Sequence, residues 1–213
     1  MRFNIVSVLI SALLATSGIE ASLTKGQKNT LLELHRKARD EVNSPNMKRI
    51  YWDDSLAKLA QKQADTCSFY RLNSGPVNIA LASRGNVEDL FNVFYREKAA
   101  FDETNTRAKF EGPKSNSKKI SHYSQIVWAE NDKVGCGLSF CDEGKMLVCQ
   151  YATGNVIGKE VYQQAKFSLT DEQKNTLLEL HRKARAEVNA TNMKEIKWDD
   201  ELAEYAQIID NNG

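Results

Sequence analysis

The 213-residue chain has almost no net charge: 29 Lys and Arg stand against 28 Asp and Glu, leaving +1 at pH 7. The two signs are interleaved, so no basic face is set aside for a phosphate backbone, and a nucleic-acid partner is excluded. A second long apolar run is also missing. Only Ile5 to Ala15, behind Met1-Arg2, is predominantly apolar, and it is too short to cross a bilayer as a mature helix. Small residues follow at Ser17, Gly18 and Ala21, so residues 1–21 read as a secretory signal peptide. The mature chain is therefore expected to be exported, soluble and without a transmembrane segment. Its length, about 190 residues, suits one ordinary domain plus an extension.

Cysteine is scarce as well, with Cys67, Cys136, Cys141 and Cys149 the whole complement. In an oxidising compartment four cysteines make two disulfides, for which the sequence alone allows three pairings. Cys136 and Cys141, with four residues between them, also have a spacing that zinc sites use, but export favours bridges.

What the chain does hold is a repeat. Segment 22–61 returns at 168–207, offset by 146 and identical at 30 of 40 positions without a gap. Gln27 to Arg39 reappears unchanged as Gln173 to Arg185. The offset measures a complete unit, so residues 22–167 read as one domain and 168–213 as the opening third of another, cut short. Alone, those two amphipathic helices cannot close a core. Asn189-Ala190-Thr191 within them is a glycosylation sequon, with Asn189 the acceptor.

In the first copy Thr24 and Gln27 form a capping box, and Leu31, Leu34, Ala38 and Val42 recur at helical spacing. A helix over about 25–43 follows, stopped by Pro45. Asp53 or Asp54 caps a second helix, with Leu56, Leu59, Ala60, Ala64 and Cys67 on one core-facing stripe. A third, over about 87–101, buries Val87, Leu90, Phe91, Phe94 and Tyr95 and carries Glu97 on its more polar side. Segment 102–120 reads as an ordered loop. Alternation through Val134, Cys136, Leu138 and Phe140, a turn at Asp142–Lys145 and a second strand over Met146–Tyr151 predict an antiparallel hairpin. Helices followed by a small sheet make the class α+β. His35 and His181, at equivalent places on charged amphipathic helices, are expected at the surface or half-buried in structural roles, and Trp52 and Trp128 in the core.

Three further stretches belong together: His122-Tyr123-Ser124-Gln125-Ile126-Val127-Trp128-Ala129, then Val134-Gly135-Cys136-Gly137, then Val148-Cys149-Gln150-Tyr151 with Gly154-Asn155. In order and spacing they resemble the two signature motifs of the CAP superfamily, the cysteine-rich secretory, antigen 5 and pathogenesis-related proteins. The resemblance runs over 22–165 and includes Trp52-Asp53-Asp54-Ser55-Leu56-Ala57. It implies an α-β-α sandwich around a small central antiparallel sheet, with Cys67 bridged to Cys141 and Cys136 to Cys149.

Similar proteins hold two His and two Glu around a cavity, where the imidazole lone pairs can bind zinc. The resemblance assigns one of those histidines to His122 and one of the glutamates to Glu97, in Phe94-Tyr95-Arg96-Glu97. Arg71 stands where the other His is expected. Val77, in Gly75-Pro76-Val77-Asn78-Ile79-Ala80, stands in place of the other Glu, unless a short deletion removed it. A guanidinium has no lone pair for a metal and valine can neither ligate nor accept a proton, so no zinc cofactor is expected. Arg71 is expected to pair with Glu97. Tyr151-Ala152-Thr153-Gly154-Asn155 is one residue and a proline short of the second signature, which leaves its loop shape open.

Three functions are compatible with that resemblance. A secreted, non-catalytic scaffold of the venom-allergen or host-defence sort, presenting itself to a lipid, a sterol or an extracellular protein receptor, needs no intact tetrad. A weak hydrolase or peptidase would use His122 and Glu97 as base and polariser, yet no Ser or Cys nucleophile is marked. An ion-channel-directed toxin would need a cysteine-dense C-terminal module, and residues 168–213 contain no cysteine.

Overall fold

The structure, a computed structural model, describes residues 22–72, 75–115, 117–165, 169–188, 190–203 and 206. The signal peptide expected over 1–21 and the Asn189 sequon lie outside the described residues. The chain divides into two compact units, Met1–Gln164 and Ala165–Gly213.

In the first unit, α1 (Lys25–Asp40) starts from the capping box: Thr24 Oγ1 accepts from the Gln27 amide at 3.2 Å while Gln27 Oε1 accepts from the Thr24 amide at 2.9 Å. It stops short of residue 43 because Asn43 turns the chain with a left-handed φ of 48°, ahead of Pro45. β1 (Tyr51–Trp52) leads to α2 (Asp54–Ala64), whose N-terminal amides at Ser55 and Leu56 both donate to Asp53 Oδ1 at 2.9 Å. β2 (Val77–Ala82) was legible only as a short apolar run. The expected third helix is two, α3 (Val87–Tyr95) and α4 (Lys98–Asp102), broken at Arg96-Glu97. Segment 102–120 contains a 3₁₀ turn at Asn105–Arg107 and a two-residue hairpin, β3 (Lys114–Ser115) and β4 (Lys118–Lys119). Then come α5 (Ser121–Ile126), β5 (Lys133–Cys141) and β6 (Gly144–Tyr151).

The main sheet has the order β1-β5-β6-β2. β5 and β6 form the expected hairpin, with Cys136 opposite Cys149, and β2 lies antiparallel to β6 with Val77 opposite Gln150. β1 runs parallel to β5 at Lys133 and Val134, so the sheet is not wholly antiparallel. α2 covers one face, and α1, α3 and α5 cover the other, completing an α-β-α sandwich. Disulfides join Cys67 to Cys141 and Cys136 to Cys149.

How closely α2 approaches the sheet is set by two glycines. A Cβ on Gly135 would lie 2.1 Å from the Ala57 nitrogen, and one on Gly137 would lie 2.4 Å from Gln61 Cα. With that little space, α2 buries Ala57, Ala60, Gln63 and Ala64, not the leucines: Leu59 is exposed and Leu56 half-buried. Cys67 is likewise exposed, in a left-handed turn with φ 50°, because its bridge ties the end of α2 to the rim of the hairpin. Trp128 is buried edge-on to Phe110, whereas Trp52 is only half-buried, its indole N–H donating to Asp54 Oδ1 at 3.1 Å.

The second unit contains α6 (Asp171–Glu187), opened by a capping box of Thr170 and Gln173. Local bonds of the first copy recur: Arg185 Nη2 donates to the Lys194 carbonyl at 2.6 Å, as Arg39 Nη2 does to Lys48. Every residue of 22–61 that is buried in the first unit, namely Leu23, Leu31, His35, Ala38, Arg39, Ile50, Ala57 and Ala60, is repeated without change. The ten differences fall on nine exposed positions and half-buried Ser44. The repeated apolar face nevertheless meets solvent, with Leu177, Leu180 and Leu202 all exposed.

Candidate functional site

The break between α3 and α4 brings Glu97 to the start of α5. That helix has no capping side chain of its own, since Ile120 occupies its N-cap position. Glu97 supplies the acceptor: its Oε2 receives the His122 amide at 2.7 Å and the Tyr123 amide at 3.4 Å. Its Oε1 lies 2.9 Å from His122 Nδ1, close enough for an ion pair, but off the donor axis, so Nδ1 is left without a well-formed hydrogen bond. Glu97 is buried, and the His122 ring, 5.2 Å from that of Phe94, is partly exposed. The structure brings these two residues together.

The other two expected positions are not. Val77 is buried on the α2 face of the sheet, packed with Ala60, Ala64, Ile79, Met146 and Val148. Strand alternation turns its neighbour Asn78 to the opposite face, and it is Asn78 that reaches the site: its Nδ2 donates to the His122 carbonyl at 2.9 Å. Arg71 is exposed and makes no ion pair among the described residues, so the expected Arg71–Glu97 pair does not form. Its loop is held after α2 by Gln63, and Glu97 is already occupied by α5.

Behind His122 lies a buried polar chain that charge patterning hid. Asn78 Nδ2 also donates to the Tyr151 hydroxyl at 3.1 Å, which lies 2.9 Å from His35 Nε2, while His35 Nδ1 is 2.7 Å from the Leu31 carbonyl. A carbonyl only accepts, so Nδ1 carries the proton and Tyr151 donates to Nε2. His35 is fully buried rather than at or near the surface, and burial pushes its pKa down to about 4, which keeps it neutral. Burial also raises the Tyr151 hydroxyl. His181, on the other copy of the helix, keeps the equivalent bond to Leu177 at 2.8 Å but is exposed. The overlooked signal was periodic: His35 is four residues after Leu31 and three before Ala38, inside the apolar stripe.

Two more contacts fix α5. Arg39, buried and paired with no carboxylate among the described residues, donates from Nη1 to the carbonyls of Ile126 and Trp128 at 2.9 and 2.8 Å. Its Nη2 reaches those of Lys48 and Asn131 at 2.6 and 2.8 Å, and burial lowers its pKa to about 10. On the other side the shortened loop after β6 lies against the helix. Gly154, with φ 145°, lets the Gln125 side chain pass directly over it, where a Cβ would be 2.1 Å from Nε2. Asn155 Nδ2 donates to the Ser121 carbonyl at 2.8 Å, so the loop is ordered without the missing proline.

Residues 32–151 match the model of the CAP family, described as the cysteine-rich secretory protein family. The chain belongs to that family. It is 28% identical over 185 residues to Scoloptoxin SSD552 of Scolopendra dehaani, an alignment covering 77% of this chain and 85% of the toxin. It is 34% identical over 135 residues to Venom allergen 5 of Rhynchium brunneum, covering 55% of this chain and 58% of the allergen's length. Among solved structures, NaASP2 with Zn2+ superposes with a TM-score of 0.61 at 25% identity, covering 67% of this chain and 88% of NaASP2. The Cys67–Cys141 and Cys136–Cys149 bridges both lie within the matched residues, and the chain is venom-allergen-like.

Proposed function

We propose that this chain is an exported, non-catalytic binding scaffold, with a degenerate form of the family's His/Glu tetrad, that presents a rigid CAP domain to a lipid, a sterol or an extracellular protein receptor. The observation that carries this reading is the employment of Glu97. Its carboxylate satisfies the first amides of α5, which makes it part of the fold rather than a free base. The residues present do not fit a zinc centre. His122 offers one imidazole, Val77 is packed in an apolar cluster, and Arg71 has no lone pair and faces solvent. Among the described residues no group of three His, Cys, Asp or Glu is placed to hold a metal. The family's description as secretory supports export, and no described helix is long and apolar enough to cross a membrane. Residues 168–207 fit the same reading as a repeat of the domain's opening segment, with the residues buried in the first copy retained.

The test is twofold. Calorimetric titration with zinc is expected to show no micromolar site, and peptide or ester turnover is expected to be no different in His122→Ala. Zinc binding at one site, or turnover that disappears in His122→Ala and survives in a surface control, overturns the proposal in favour of metal or hydrolytic chemistry. Mass spectrometry of solvent extracts of the purified protein then distinguishes a lipid or sterol ligand from a protein receptor.

A further inference from the structure

The loop that follows α2 places four large side chains in a row outside the fold. Phe69, Tyr70 and Leu72 are 59%, 81% and 53% exposed, and Arg71 between them is exposed too. This is not slack chain. The buried Gln63 side chain donates from Nε2 to the carbonyls of Ser68 and Tyr70 at 3.0 and 2.9 Å and accepts the Leu72 amide on Oε1 at 2.7 Å. The Tyr70 amide donates to Ser68 Oγ at 3.0 Å, and Cys67 is bridged to Cys141. The loop's backbone groups are thus drawn inward by a fixed amide, and its aromatic side chains are exposed on the outside. Across the same disulfide, Phe140 is 63% exposed immediately before Cys141, and Asp142 and Glu143 are exposed immediately after it.

Aromatic residues and arginine displayed in solvent from an anchored backbone have the composition of an interface centre. The charges decide what fits it. Arg71 lies on the Cys67 side and Asp142 and Glu143 on the Cys141 side, and none of the three has an ion-pair partner among the described residues. A bilayer of anionic lipid would meet Arg71 favourably and be repelled by the acidic turn. A surface that satisfies both must carry an acid opposite Arg71, a cation opposite the turn and apolar groups between. This face itself has that arrangement once rotated by a two-fold axis. We propose that the rim around the Cys67–Cys141 disulfide is a self-association face, in which Arg71 of each copy meets Asp142 and Glu143 of a second copy across the paired Phe69, Tyr70 and Phe140 side chains. The exposed parts of these side chains offer roughly 500 Å² per copy on ordinary aromatic areas. A stable dimer uses about 800 Å² per partner, so the association is weak and concentration-dependent.

Sedimentation velocity of the full chain at concentrations from about 5 to about 500 μM tests this, because weak dimers are populated in that range. The expected result is a reversible monomer–dimer equilibrium weakened at least tenfold by Arg71→Glu, and equally by the double variant Asp142→Lys/Glu143→Lys. Mixing the two variants restores association, since each then carries one sign. All three positions are exposed, so circular dichroism of the variants should be unchanged. A chain that stays monomeric throughout overturns the proposal. So does a dimer that persists in both variants, which would place contact elsewhere, or a mixture that fails to recover.

Discussion

The hydroxyl of Tyr151 lies 2.9 Å from Nε2 of His35, and together they connect the first helix to the strand that ends beside His122. This contact requires a neutral imidazole, because Nε2 accepts and Nδ1 already donates to Leu31. The unfolded chain protonates His35 below its ordinary 6.5, whereas the folded chain resists until about 4. Between those values the unfolded state binds more protons, so stability falls as pH falls. The slope is about 1.4 kcal/mol per pH unit and the total about 3 kcal/mol. Urea denaturation at pH 7, 5.5 and 4 checks this: His35→Gln is expected to flatten the dependence across that window, and exposed His181→Gln to leave it as it was.

Arg39 is expected to be less replaceable than its lack of an acidic partner among the described residues suggests. Its fork ties the C-terminal end of α5 and the segment beyond to the chain after α1, through carbonyls at Ile126, Trp128, Lys48 and Asn131. Arg39→Met removes this donor from the Ile126, Lys48 and Asn131 carbonyls and leaves Trp128 with only the Asn131 amide, at 3.1 Å, and should cost about 3 kcal/mol or more. Arg39→Lys should recover less than half of that, because an ammonium cannot span the planar fork. Hydrogen exchange gives the spatial signature: amides of Lys48 and Ala129, which pair with this region, should lose protection before those of the β5–β6 hairpin.

These two residues also mark the limit of what the sequence made legible. α1, the hairpin and the CAP motifs rest on local patterns, and the structure places them within a few residues. His35 and Arg39 were harder because a charged or titratable residue on an amphipathic helix ordinarily faces water, and only distant partners bury it. The same holds for α2, whose leucines look like its core face until Gly135 and Gly137 are brought against it. At the site, Glu97 and His122 were identifiable from motif position. Asn78 was not, because its role depends on which face of β2 the sheet register assigns it.

Glu97 distinguishes a structural from a chemical role by the identity of its replacement. As the acceptor for the first amides of α5, it resembles a capping residue supplied from another helix. Glu97→Ala should therefore destabilise by about 1–2 kcal/mol. Glu97→Gln, which keeps an acceptor oxygen and loses the charge, should cost less than half as much. Chemical denaturation of both variants at pH 7 measures the difference; equal losses would mean that the charge contact with His122 matters more than the cap.

The two glycines beneath α2 and the one at the start of α1 should respond in opposite directions to the same substitution. At Gly137 a methyl group would enter 2.4 Å from Gln61 Cα, and neither the helix backbone nor the strand, tied to β6 along its length, can yield without moving the other. Gly137→Ala should destabilise by about 3 kcal/mol and lower the thermal midpoint by several degrees. Gly26 is in the first turn of α1, where a Cβ meets nothing closer than Thr24 Oγ1 at 3.9 Å. Gly26→Ala should stabilise by about 0.5–1 kcal/mol by restricting the unfolded chain. The second copy carries Glu172 at the corresponding position, in a helix with the same capping box. Calorimetric unfolding of both variants decides the matter: if Gly137→Ala were tolerated, α2 would have to sit farther from the sheet than these distances allow.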